Sequence, residues 1–123
     1  MEWKFSGDRP VYQQIMEAVY GAILKGELSP GQKVPSVRDL AAQAKVNPNT
    51  MQRALTELER EGLLVGGGTS GRTVTMDEEI LTAMRNDTLN KVARECAEKF
   101  MLLGVSPSQA ARLLLELEEE KEE

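Results

Sequence analysis

Residues 36–62 constrain this chain more than any other stretch. Two short helical patterns stand there, each opened by its own cap, with a tight Lys45-Val46 corner between them. In the first, Ser36 is a good N-cap, Asp39 follows three residues on as a capping-box variant, and Val37, Leu40, Ala41 and Ala44 fall on one face. The second opens at Asn47, with Pro48 at the first helical position, where a missing N–H costs nothing. Its apolar stripe is Val46, Met51, Ala54, Leu55 and Leu58, and Gly62 closes it. Two capped helices joined by a short corner form a helix-turn-helix, whose second helix lies in the DNA major groove. Leu63-Leu64-Val65 and Arg72-Thr73-Val74-Thr75 then read as two strands around a glycine-rich hairpin tip, Gly66 to Gly71, as a winged form requires. The expected fold is mainly α with a small β-wing.

The flanks supply the remaining elements. Met1 to Phe5 alternates polar and apolar with Trp3 and Phe5 on one side, which suits a short strand or a docking arm. Gly7-Asp8-Arg9-Pro10 breaks the chain, with Asp8 as a candidate cap and Pro10 in the first helical turn. From Val11 to Lys25, Val11, Ile15, Val19, Ala22 and Ile23 repeat at helical spacing, widened by Tyr12, Met16 and Tyr20, and Gly26 ends the pattern. Ser29-Pro30-Gly31-Gln32 reads as a type II turn. Helical character returns near Glu78, and Gly104-Val105 resembles a Schellman stop. Ser106-Pro107-Ser108-Gln109 opens a last helix with a capping box.

These two final helices carry apolar stripes that they cannot bury against each other alone. The expected organisation is a winged helix-turn-helix over residues 1–76 and a helical dimerisation tail over residues 77–123. The expected dimer interface is Leu81, Met84, Leu89, Val92, Cys96, Phe100, Leu103, Leu113, Leu114 and Leu117. Cys96 on such a stripe reads as a buried reduced thiol. The neighbourhood of Phe100 and Met101 serves packing before it serves an effector cavity.

Composition narrows the function. With one cysteine and no histidine, an intramolecular disulfide, the usual zinc sites and Ser-His or Cys-His catalysis are all unavailable. No catalytic residue, metal or cofactor is expected. No apolar run is long enough for a membrane span and no leader pattern is present, so a cytoplasmic protein is expected. The net charge of −5 argues against nucleic acid until the chain is divided. Residues 1–76 carry nine Lys/Arg and eight Asp/Glu, a balance of +1, while residues 77–123 carry six and twelve, a balance of −6. Local fields decide docking more than total charge does, although +1 predicts weak non-specific binding.

On the second helix of the motif, Asn49, Thr50, Gln52, Arg53 and Thr56 point outward near the amino end. Asn can read adenine, Arg can read guanine, and Thr serves phosphate or the thymine methyl. Arg38 sits in the first turn after Ser36, near free N–H groups and a positive dipole end, a natural phosphate corner; its alternative is a surface salt bridge with Asp39 or a nearby Glu. Gly66-x4-Gly71-Arg72-Thr73 approaches the nucleotide-binding phosphate loop, but Arg replaces Lys and strand sequence follows where a helix is needed. A wing tip is the better reading, with Gly67 and Gly68 allowing close backbone approach to DNA.

The residues from Arg9 to Thr75 resemble the GntR family of bacterial regulators, and its small YtrA-type branch in particular. The likeness runs through Pro10-Val11-Tyr12-Gln13-Gln14-Ile15, Leu28-Ser29-Pro30-Gly31-Gln32-Lys33-Val34-Pro35-Ser36-Val37-Arg38-Asp39-Leu40-Ala41, Val46 to Leu55, and Leu58-Glu59-Arg60-Glu61-Gly62-Leu63. The resemblance implies a homodimeric repressor on a two-fold DNA operator, often for a transporter operon, with two tail helices for dimerisation and an effector not excluded. By motif it implies DNA contacts from Arg38, Asn49, Thr50, Gln52 or Arg53, and the wing glycine Gly71. With the caps and the wing cation, the expected DNA-binding set is Ser36, Arg38, Asn47, Asn49, Thr50, Gln52, Arg53, Gly71 and Arg72. The chain departs from many members at Pro48 and Gln52, where basic residues are common, and at Gly67 and Gly68 before the wing glycine. A winged-helix protein-interaction module without DNA is the competing reading.

Overall fold

The computed structural model describes residues 1–66 and 71–122. It divides into two compact units, Met1–Arg85 and Asn86–Glu123. The first unit contains α1 (Val11–Leu24), α2 (Val37–Ala44), α3 (Pro48–Arg60), β1 (Leu64–Gly66), β2 (Arg72–Val74) and the start of α4 (Glu78–Leu102); α5 is Pro107–Glu122. The mainly α fold with a small β-wing is as expected.

The core of the first unit joins the stripes read from the sequence. Ile15, Val19 and Ala22 from α1, Leu40, Ala41 and Ala44 from α2, and Met51, Ala54, Leu55 and Leu58 from α3 are all buried, closed by Leu63, Leu64 and Val74. Each fully buried Ile, Val, Leu or Met side chain among them contributes about 1.5–3 kcal/mol. Tyr20 of α1 donates its hydroxyl hydrogen to Glu61 at the end of α3. Burial, aided by that carboxylate, pushes the phenol pKa far above its ordinary value, so this link stays protonated.

The amino-terminal residues form a docking arm and not a strand. Met1, Trp3 and Phe5 pack half-buried on the core while Glu2 and Lys4 face solvent, and the Trp3 and Phe5 ring centroids lie 6.3 Å apart. Asp8 does not cap α1, and Pro10 stands at the cap position before the helix. The Asp8 carboxylate accepts from the Ser6 hydroxyl instead. Gln14 fixes the entry: its Nε2 donates to the carbonyls of Ser6 and Arg9, each at 2.8 Å, and its Oε1 accepts from the Ser6 N–H at 2.8 Å.

β1 and β2 pair antiparallel with Leu64 opposite Val74, Val65 opposite Thr73 and Gly66 opposite Arg72. The segment after the Ser29–Gln32 turn runs along the other side of β2. Val34 donates to the Arg72 carbonyl at 2.9 Å, Val74 to Gln32 at 3.0 Å, and Gly31 to Val74 at 2.8 Å. This third edge was not expected; it ties the wing to the linker that leads into α2.

In the second unit the helix signals hold. Val105 N–H donates to the Phe100 carbonyl at 3.0 Å, making the Schellman stop. Ser106 and Gln109 exchange the two bonds of a full capping box, at 3.2 and 2.9 Å.

Candidate nucleic-acid interface

The helix-turn-helix is held by local chemistry. Ser36 Oγ accepts from the Asp39 N–H at 3.1 Å, and Asn47 Oδ1 accepts from the Asn49 N–H at 2.7 Å. Both side chains are therefore engaged as caps. Lys45, between the helices, takes the left-handed conformation (φ 57°, ψ 47°), which lets Val46 N–H return to the Ala41 carbonyl at 3.1 Å and turns the chain within three residues. A side chain held there costs about 1–2 kcal/mol.

On α3, Asn49, Gln52 and Arg53 are exposed and Thr56 is half-buried. At 3.6 residues per turn these four share one face opposite Met51, Ala54, Leu55 and Leu58. Thr50 lies at the margin and is half-buried. Gln52 Nε2 donates to Thr56 Oγ1 at 3.2 Å, so Gln52 is laid along the helix. The Arg53 guanidinium stacks on the Tyr12 ring, 3.8 Å from its centroid. Together with Pro10, Val11, Asn49 and Thr50, these two residues line an open pocket of about 430 Å³ at the amino ends of α1 and α3. The sequence reading placed Tyr12 only on the apolar stripe of α1.

Arg38 is exposed in the first turn of α2, and among the described residues no carboxylate pairs with it, Asp39 included. The alternative salt bridge is thus not formed. Arg72 is placed otherwise: its Nε binds Glu59 on α3 and its side chain is only 15% exposed. This pair braces the wing against α3 and takes Arg72 away from the free surface. Gly71 leads into strand β2, which removes the helix a phosphate loop requires. A Cβ on Gly66 would lie 2.8 Å from the Gly71 carbonyl oxygen, so this narrow hairpin end accepts only glycine. Gly67 and Gly68, expected to approach DNA, lie outside the described residues. Lys33 reaches the wing from the neighbouring segment, its Cε 3.4 Å from where a Gly71 Cβ would stand.

The expected interface residues of α4 and α5 fall into two groups. Leu81 and Met84 pack half-buried on the core of the first unit, beside Ile80. In the second unit Leu89, Val92, Leu103, Leu113, Leu114 and Leu117 are 45–80% exposed, and Ala110 alone is buried among its described residues. Cys96 is a free thiol but only half-buried, not fully covered as the stripe suggested. With Lys99, Phe100 and Leu103 it lines a small apolar pocket of about 210 Å³, while Met101 is exposed and takes no part. Among the described residues no helix is long and apolar enough to cross a membrane, and no cluster of three metal-ligating side chains occurs.

Comparison with known proteins agrees with this geometry. The family model described as bacterial regulatory proteins, gntR family, matches residues 11–74. The uncharacterized HTH-type transcriptional regulator YhcF of Bacillus subtilis is 37% identical over 101 residues, covering 82% of this chain and 80% of that protein. The HTH-type transcriptional repressor YtrA of the same species is 49% identical over 55 residues, 45% of this chain and 42% of YtrA. A GntR family transcriptional regulator from Listeria monocytogenes has a similar structure, with a TM-score of 0.82 at 28% identity over 91% of this chain and 98% of that one. The DNA-binding domain of AraR, solved in complex with operator ORX1, matches at a TM-score of 0.56 and 30% identity over 61% of this chain and 96% of that one.

Proposed function

The chain belongs to the GntR family of bacterial regulatory proteins and is a DNA-binding transcription regulator, and from that premise we propose that it is a YtrA-type homodimeric repressor of a small operon, acting in the cytoplasm on a two-fold operator. Residues 1–76 bind DNA and residues 77–123 form the dimerisation tail. The observation that carries the reading is the amino-terminal half of α3, where Asn49, Gln52 and Arg53 are exposed on one face while Arg38, at the start of α2, has no carboxylate partner among the described residues. Asn49 and Arg53 read base edges in the major groove. Arg38 and the free N–H groups of α2 hold a phosphate, which positions α3 without specifying sequence. Thr50 and Gln52 complete the contact. Ser36 and Asn47 contribute by fixing the two helix ends, and Gly71 by close approach of the wing.

The tail supports the homodimer. Helical spacing puts Leu113, Leu114 and Leu117 on one face of α5, all 45–59% exposed, and large exposed apolar faces mark interaction sites. A second copy covers Leu103, Leu113, Leu114 and Leu117 and places two recognition helices one DNA turn, roughly 34 Å, or a multiple of it apart.

The test is selection of duplexes from a random-sequence library by the full chain, followed by titration at several salt concentrations and sedimentation. Enrichment of an inverted repeat, salt-dependent binding and a dimeric mass are expected. A monodisperse, folded protein that enriches no sequence overturns the reading and favours a protein-interaction module. Repression is checked by a reporter carrying the enriched site.

A further inference from the structure

We infer that Tyr12 is a positioning residue for Arg53, so that the amino end of α1 belongs to the recognition surface and sets how Arg53 meets DNA. The inference rests on α3 being the DNA-contacting helix. It starts from the stacking distance of 3.8 Å between the Arg53 guanidinium carbon and the Tyr12 ring centroid, well inside the range of cation–π attraction. The N–H donors of a guanidinium all lie in its plane. A ring against one face therefore leaves the hydrogen-bonding edges free while restricting rotation of the group. Arginine otherwise surrenders much rotamer freedom when it docks, and an orientation fixed beforehand reduces that cost.

Among the described residues no carboxylate pairs with Arg53. Tyr12 itself is anchored, half-buried against the core, with its hydroxyl oxygen accepting from Gln13 Nε2 at 3.2 Å. The pocket around the pair draws residues from the amino ends of both helices, including Asn49 and Thr50, which are assigned to DNA on separate grounds. Tyr12 thus acts as a platform on which a cation from a different helix is laid flat beside the other contact residues. The substrate class is double-stranded DNA, and the property controlled is preference at the base pair that Arg53 reads.

The experiment uses the duplex enriched by the unmodified full chain and a shuffled duplex of equal length. Tyr12→Phe keeps the ring and binds the enriched duplex within twofold of the parent. Tyr12→Leu keeps apolar packing but removes the π face. It should weaken binding about two- to fivefold per half-site, hence about 4–25-fold on the whole operator, with a smaller loss on the shuffled duplex. In an Arg53→Ala background the same Tyr12→Leu change should cost less than twofold, because the group it positions is gone. An equal loss in both backgrounds would make Tyr12 an independent contact or a fold residue and overturn the inference. So would a Tyr12→Phe loss as large as that of Tyr12→Leu, or no loss in either. Thermal melts accompany each variant. If Tyr12→Leu melts below the assay temperature, Tyr12→Met replaces it and is held to the same outcomes. Failure to enrich any duplex would instead strike the assignment of DNA binding itself.

Discussion

Replacing Arg38 by alanine separates anchoring from folding. The side chain is exposed, lies in the first turn of α2 and has no ion-pair partner among the described residues, so its removal strands no buried charge. Stability should change by no more than about 0.5 kcal/mol. Its proposed work is one phosphate contact per half-site, or two for a dimer on a full operator. Each neutralised phosphate contributes about 0.9 to the slope of log K against log salt, so the slope should flatten by roughly 1.8. Across a fourfold rise in salt, from about 50 to 200 mM, the parent should lose roughly tenfold more affinity than Arg38→Ala. Fluorescence anisotropy with labelled duplex at four or more salt concentrations reads this directly. The loss should also appear on shuffled DNA, because phosphates carry no sequence, and Arg38→Lys should restore most of the slope. An unchanged slope in a normally folded variant removes Arg38 from the backbone contacts. A loss confined to the enriched duplex would make it a base reader instead.

Asn49→Ala and Arg53→Ala should each cost about 1–3 kcal/mol on the enriched duplex and relax preference at one position per half-site, read by competition with single-base variants; uniform losses on all DNA would make them phosphate contacts. Leu114→Arg with Leu117→Arg should convert a dimer to a monomer in sedimentation and reduce operator affinity about 10²–10⁴-fold, since the second half-site is no longer intramolecular. Both side chains are half exposed in the single chain, so the melt should barely move, and a variant that remains dimeric would place the interface elsewhere. Gly62→Ala should destabilise by about 1–2 kcal/mol because Gly62 holds φ at +78° after α3, lowering Tm by roughly 5–15 °C. An unchanged melt would mean that the turn relaxes to another conformation.

What the sequence made readable was decided by neighbours a few residues apart. Ser36, Asn47 and the Ser106–Gln109 box each bond backbone within three positions, and the Schellman bond that ends α4 at Gly104 spans only five. The apolar periodicity also identified the buried faces of α1, α2 and α3, because helical spacing alone selects them. What escaped depends on chain segments that meet only in the folded state. Arg72 looked like a wing cation until Glu59, thirteen residues earlier on α3, came within its reach. Tyr12 and Arg53 stand on different helices, α1 and α3, with α2 between them in the chain, and no local pattern joins them. The pairing of Gln32–Val34 with β2 has no strand signature, since the segment is only three residues long and ends before a proline. Gln14 did leave a trace: it stands three residues after Val11, on the stripe, and a polar group there must find buried partners.

The charge balance of the DNA-binding part takes a different meaning once its pairs are known. Glu17, Glu57 and Glu59 are bound to Arg9, Arg60 and Arg72, while Glu27 faces both Lys25 and the terminal amine. Pairs of this sort add little stability at an exposed surface, but they cancel each other's field over short distances. The cations left without a carboxylate among the described residues include Arg38, Lys45 and Arg53 of the helix-turn-helix and Lys33 beside the wing. The balance of +1 over residues 1–76 therefore understates the local potential at the proposed interface. It still limits the number of phosphates that one copy can neutralise, and with them the non-specific affinity. A single half-site is then bound weakly, and occupancy at cellular concentration depends on joining two of them. The exposed leucines of the tail and the sparse cations of α2 and α3 are thus complementary in the proposed repressor: dimerisation supplies the affinity that charge does not, and it favours paired sites over the excess of unpaired DNA.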